Sequence, residues 1–469
     1  MAASTDADLE KPTISPTLSS HPSQTDVSTT TPRTNDDAKP SRETTYIDNT
    51  TPSSNNDDSP DPATAAGFIP PDGGLAAWSQ VLAGLLVNMI AWGMPGTFGV
   101  FQLYYRDTLR LPESQIAWIG SLQVFLAFAL CTPSGRLADA GYVRSTVAAG
   151  GMLAFAGMLA TSFCGGKYVG ILLAQGLCTG VGLGVLFMPP VAVINSYFEG
   201  RRAMALAISA MGTGLGSLVF PATVQYLIPK VGFAWAVRCV ALEVLLLALA
   251  ATLLLRPRLR PRRSGPLVEW DAFREVPYAL YSAGAFLWFW GLYFGFFYIN
   301  AYARNVIHFT TTDSVQLLLI TNGMSIPARP VAGWLADRHA GVINLYILHT
   351  LILGSLIFAW AGVTTRAGMY VFSFFFGLAN GAAQGLFPGS LARLTRDPRK
   401  LGTRFGMVCT ISGFASLAGP PTAGAIIDAS GGGKYLWAQV WAGTVIVLAA
   451  VMFAATRVAV TGWKFRVKI

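Results

Sequence analysis

From Gly73 onward the chain carries twelve apolar stretches of about 20 residues, each long enough to cross the roughly 30 Å hydrocarbon of a bilayer as a helix. Inside hydrocarbon every backbone amide needs an internal partner, so such segments must be helical. The spacing predicts spans over 77–104, 115–134, 145–163, 168–195, 203–228, 234–255, 277–303, 312–332, 343–362, 368–391, 405–427 and 435–457. Composition agrees: 12% of the 469 residues are charged, against about 25% in soluble domains. The expected fold class is an all-α, multi-pass membrane protein, with the lipid bilayer as its first partner.

A short polar motif divides these spans. Gly135-Arg136-Leu137-Ala138-Asp139 is echoed by Gly333-Trp334-Leu335-Ala336-Asp337. Each copy follows a membrane-length stretch with a proline near its end (Pro133, Pro330), and each precedes another such stretch. Two copies at equivalent places predict two pseudo-symmetric halves of six helices. The expected layout is a disordered tail over 1–66, a first half over 67–255, a basic linker over 256–276, a second half over 277–457 and a short basic tail over 458–469. The tail of 1–66 is rich in Ser, Thr, Pro, Asp and Asn, too polar to offset its own ordering entropy. Gly135 and Gly333 are expected to let the chain turn sharply. Asp139 and Asp337 can cap the helix that follows or pair with loop arginines. Arg338 follows the second copy, whereas Ala140 follows the first. A junction made in one conformation and broken in another would latch the halves. A purely structural helix cap is the alternative.

Charge sets the orientation and removes several function classes. The net charge of +9 does not point to nucleic acid, because most basic residues sit in short loops. Loops on one side, with the C-terminal tail, hold 20 Lys and Arg, and the opposite loops hold seven. That bias predicts that both termini are cytoplasmic, with the plasma membrane as the expected location. The linker opens Arg256-Pro257-Arg258-Leu259-Arg260-Pro261-Arg262-Arg263, too basic to be a span. It reads as a solvated topological anchor, with anionic-lipid contact as the alternative. Five single cysteines and four scattered histidines form no disulfide framework and no metal site. No phosphate-binding Gly-Lys loop implies a nucleotide, and no cofactor is expected. An enzyme would need clustered His, Asp or Cys on facing helices. A non-transporting membrane sensor would need a structured extension in place of the polar tail.

Three further motifs carry a resemblance. Asp72-Gly73-Gly74 with Trp78 stands at the start of the first span. Tyr197-Phe198-Glu199-Gly200-Arg201-Arg202 with Ala205 precedes the fifth, and Gly419-Pro420-Pro421 lies in the eleventh. With the repeated G-x-L-A-D, these resemble the major facilitator superfamily and, within it, the fungal branch of the monocarboxylate porter family, over about residues 70–457. The resemblance implies a secondary transporter with alternating access and a midplane site. It moves a small organic compound, a carboxylate or a biosynthetic product, with protons as a candidate co-substrate and one chain as the transport unit. Proton-coupled uptake of a nutrient monocarboxylate is the rival direction. Two departures weigh against lactate: Gly96, not lysine, follows Pro95, and Ser325 stands four residues before Arg329 where the family's lactate carriers have aspartate.

Arg329 in the eighth span is the charge of most interest. It either binds an anion or snorkels to the interface, because a mid-membrane charge costs about 2.5–3.5 kcal/mol. Glu243, well inside the sixth span, and Asp72 are candidates for proton coupling. Arg238 is expected to snorkel. By the resemblance, spans 1, 4, 7 and 10 line the cavity. That makes Asn88, Trp92, Gln175, Trp288, Tyr293, Asn380 and Gln384 cavity candidates, with Ser325 beside them; polar packing between helices is the alternative. The run Phe286–Trp290 is expected to face lipid over most of its surface.

Overall fold

The computed structural model describes residues 70–258, 262, 265–431 and 434–462, so the expectation about the polar tail of 1–66 falls outside the described residues. The helices are α1 (Leu75–Asp107), α2 (Gln115–Asp139), α3 (Val143–Thr161), α4 (Tyr168–Tyr197), α5 (202–231), α6 (233–254), α7 (Val276–Asn305), α8 (Thr311–Leu335), α9 (Val342–Trp360), α10 (Arg366–Leu394), α11 (Leu401–Ala429) and α12 (Leu436–Thr461). α5 and α6 run on as one 53-residue helix, broken only where Gly232 adopts φ 78° and ψ 167°. Glycine alone takes that conformation without strain. Among the described residues eight helices qualify as spans on length and apolarity alone, and this long one supplies two crossings. α8, α10 and α11 complete the twelve. They are long enough to cross, but α8 and α10 carry Arg329, Asn380 and Gln384 in their interiors and α11 carries Arg404 in its first turn. α12 runs to Thr461, four residues past the predicted end.

Local chemistry fixes the ends. Thr310 caps α8 by accepting from the Asp313 amide at 3.1 Å, and Thr365 caps α10 by accepting from Gly368 at 3.1 Å. Prolines sit inside α1, α4, α5, α8, α10 and α11. At one of them the freed carbonyl is met from a neighbouring helix: Ser134 of α2 donates to the Val185 carbonyl, four residues before Pro189. α4 widens into a π-helical stretch over Leu172–Thr179, where the Thr179 hydroxyl donates to the Ala174 carbonyl at 3.1 Å.

Small residues bring the helices into contact. A Cβ at Gly212 or Gly216 of α5 would lie 2.0 or 2.2 Å from the Leu85 or Met89 carbonyl oxygen of α1. The G-x-x-x-G spacing is therefore a packing seam between α1 and α5. In the second half Gly377, Gly381 and Gly385 of α10 lie against Thr321, Ser325 and Arg329 of α8, turn for turn. This seam seats the arginine.

The halves, α1–α6 and α7–α12, meet where α5 packs on α8 and α10 and where α11 packs on α2. Most of the linker's described residues, Arg256 and Arg258 among them, are exposed, and it is tied down at a few points. The Arg256 amide donates to Gln80 of α1 at 2.8 Å, and the Arg262 amide donates to the Asp139 carbonyl at 2.8 Å. Glu269, buried, pairs with Arg262 at 2.9 Å, Lys400 at 3.0 Å and Arg404 at 3.3 Å. Burial pushes the Glu269 carboxyl up, but Lys400, Arg262 and Arg404 outweigh it and hold it below the usual carboxylate range. The linker thus touches both halves beside the start of α11.

Candidate functional site

Arg329 is 2% exposed. Its Nη1 donates to Ser325 Oγ at 3.3 Å and its Nη2 to Gln384 Oε1 at 2.8 Å. Gln384 Nε2 in turn donates to Asn380 Oδ1 at 2.9 Å. Asn380 and Gln384 share a face of α10 by their four-residue spacing. Every partner is neutral. Among the described residues no carboxylate pairs with Arg329, and its Nε has no hydrogen-bond partner. On its other flank is Gly214 of α5, where a Cβ would lie 3.3 Å from Nη1. The guanidinium therefore sits on the seam between the halves and does not snorkel to the interface.

The two G-x-L-A-D copies form a reciprocal pair of contacts. Asp139 accepts from the amides of Gly402 at 3.0 Å and Thr403 at 2.7 Å, and from the Thr403 hydroxyl at 2.6 Å. Asp337 accepts from the amides of Ala203 at 3.2 Å and Met204 at 2.8 Å. Each aspartate thus caps a helix of the opposite half, α11 or α5, and not the helix that follows it. The arrangement places a negative charge on the positive end of a helix dipole across the interface. The glycines also differ from expectation. Gly135 and Gly333 are helical and turn nothing; the positive φ falls on Gly141 and Gly341. Their role is close approach, since a Cβ at Gly135 would lie 2.0 Å from the Gly402 carbonyl oxygen and one at Gly333 2.7 Å from Met204 Cα. Thr132 and Thr410 hydroxyls, 2.7 Å apart, add a contact one turn deeper. Arg338 lies over the Trp334 ring at 5.5 Å.

The pattern of the Major Facilitator Superfamily matches residues 81–397. The chain belongs to that superfamily. An "MFS-type transporter" of Gibberella zeae is 37% identical over 390 residues, covering 83% of this chain and 88% of its own length. The "Aspyridones efflux protein apdF" of Emericella nidulans is 32% identical, with 84% and 80% covered. Among solved structures, the human organic anion transporter MFSD10 superposes with TM-score 0.64 at 14% identity, covering 81% of this chain and 99% of that one. The transporter FucP in the outward conformation gives TM-score 0.63 at 15% identity, with 80% and 98% covered. These structural likenesses speak to the fold.

Within this superfamily chain the two sequence signatures prove to be one contact. Asp72, at φ 48°, accepts from the amides of Glu199 at 2.6 Å and Gly200 at 3.0 Å, and its own amide donates to the Tyr197 carbonyl at 3.1 Å. Trp78 packs edge-on against Phe198 at 5.2 Å, and Arg202 Nε donates to the Phe198 carbonyl at 3.1 Å. The open backbone at Gly73 and Gly74 (φ 83°) leads into α1, and Arg201 is exposed. Asp72 therefore lies at the linker-side edge, bound to backbone amides and remote from the interior.

Other candidates separate from the arginine. Trp288, fully buried, packs inside the second half against Phe387 at 6.0 Å and Tyr346 at 6.0 Å. With Phe289 also buried, the Phe286–Trp290 run does not face lipid over most of its surface. Asn88 donates to the Gly84 carbonyl and to Ser209 Oγ at 3.1 Å, and Gln175 accepts from Tyr105 Oη at 2.5 Å. Both are packing contacts within the first half. Glu243 accepts from Thr223 of α5 at 2.9 Å, in the seam between α5 and α6. Arg238 donates to Ser162 and lies over Phe163 and Trp235. Trp92 and Tyr293 are half-buried. Gly214, Gly402 and Thr403 were not legible from sequence. The one signal for the last two was the charged turn Arg396–Lys400 before α11, the counterpart of Glu199–Arg202 before α5.

Proposed function

We propose that this chain exports a small organic anion, a carboxylate or another acidic biosynthetic product, by alternating access across the plasma membrane. The observation that supports it is Arg329: a buried guanidinium on the seam between the halves, held by neutral partners alone. In hydrocarbon such a charge is costly unless something of opposite sign visits it. Gln384 is the partner that an incoming carboxylate would displace, because a guanidinium holds two carboxylate oxygens in parallel. The Asp72 and Arg202 signatures support placement in the monocarboxylate porter branch, while Ser325 and Gly96 argue against lactate. Outward direction is supported by the relative named for efflux. Charge bias supports a cytoplasmic linker side, in which case the reciprocal caps describe a state closed to the cytoplasm. Glu243 is kept as the coupling candidate if protons share the cycle.

The test is counterflow in vesicles carrying the purified full-length chain and loaded with single organic acids. Labelled acid should accumulate against its gradient only when an anionic partner waits inside. Exchange of neutral compounds with no exchange of any acid would reject the anion reading.

A further inference from the structure

A run of aromatic rings crosses from one half to the other and ends on α10, the helix that carries Gln384. Trp92 of α1 packs on Phe128 of α2 with centroids 4.5 Å apart. Phe128 meets Phe289 of α7, in the other half, at 5.1 Å. Phe289 meets Phe387 of α10 at 5.5 Å, and Phe387 lies three residues, about one turn, beyond Gln384. The run therefore ends on the helix that carries Gln384, within about one turn of it, where Phe387 also packs on Tyr281, Tyr346 and Phe405. Trp92 is half-buried, while Phe128 is 1% and Phe289 8% exposed, so the run has one open end and a closed middle. The Phe128–Phe289 contact joins the halves and must open whenever they separate there.

Membrane interiors have no shortage of leucine and valine, and either would suffice to exclude water from an aliphatic acid. Ring faces and edges add an attraction that only another π-system returns. We propose that the transported anion carries a flat conjugated ring body, which rests on Trp92 and Phe289 while its charge is held by Arg329. The proposal rests on the anion reading above and narrows it to a substrate class. In the closed state the rings satisfy one another; with the halves apart, the substrate's ring takes the place of the partner phenylalanine.

A matched pair of acids isolates the effect. 2-Naphthoate and decahydro-2-naphthoate share charge and carbon skeleton, and only the first is aromatic. Competition against counterflow by the native chain should show 2-naphthoate about tenfold stronger, the scale expected for one or two ring contacts. Trp92→Leu and Phe289→Leu should each bring the ratio to within about twofold without abolishing inhibition by the saturated acid. Equal inhibition by the two acids, or none by either, overturns the proposal, and this comparison needs no variant to fold. Arg329→Gln separates the two readings. If it removes inhibition by both acids while the native chain shows no aromatic preference, the anion site stands and the ring surface falls. If it leaves a tenfold preference intact, the ring surface stands and the anion reading falls.

Discussion

Gly135→Ala should cut transport per folded molecule more than tenfold while leaving the abundance of folded chain close to native. The added Cβ would lie 2.0 Å from the Gly402 carbonyl oxygen and 2.4 Å from its carbon, both backbone atoms that cannot swing away. Only the state in which α2 and α11 touch is excluded, so the chain is left open on the linker side. Asp139→Ala tests the same contact through chemistry. It strands the buried amides of Gly402 and Thr403, and an unsatisfied buried amide costs about 1–3 kcal/mol. The balance between states should move by about tenfold or more, because 1.4 kcal/mol is a factor of ten. Spin labels at Tyr142 and Arg399, both exposed, would report it as a longer linker-side distance. A purely structural cap would behave otherwise, lowering the yield of folded chain with normal transport by what remains. Native transport in Gly135→Ala would show that the closed contact is not part of the cycle.

Much of this was legible in sequence because hydrophobic length and the repeated G-x-L-A-D are local signals. Twelve crossings follow from apolar runs that must be helical in lipid. The duplicated motif also placed Asp139 and Asp337 at equivalent junctions. What the sequence did not disclose is the partner of each. A capping aspartate is recognised by a helix start nearby in the chain, yet Asp139 is 263 residues from Gly402. The same limit applies to Gly135, whose neighbour is the backbone of another half. The surroundings of Trp288 were hidden for a different reason. Residence on α7 does not say which way a ring points, and its neighbours Tyr346 and Phe387 come from α9 and α10. Asn380 and Gln384 stayed together because helix periodicity alone puts them on one face. Their link to Arg329 needed the glycine seam that brings α8 against α10.

Arg329 carries the largest expected effect. Removing a charged hydrogen-bonding group from its partner costs about 1.5–3 kcal/mol, so Arg329→Gln should lower organic-anion counterflow by at least tenfold. The same substitution removes a cation buried in the membrane, whose insertion costs about 2.5–3.5 kcal/mol. Thermal stability should therefore rise as transport falls. An arginine kept only for structure would give the opposite, since its loss would weaken the fold and leave the rate per molecule unchanged. Arg329→Lys keeps the charge without the planar fork and should retain part of the rate. Ser325→Asp places a carboxylate one turn away, where it meets the guanidinium. It should compete with the substrate, lowering apparent affinity or making transport depend on pH.

The most direct measurement is the initial rate of counterflow of an organic acid by Arg329→Gln, at matched amounts of folded chain, taken together with its melting temperature. Loss of transport in a chain that melts higher than native is the expected result. A near-native rate would leave Arg329 a structural residue and contradict the anion site.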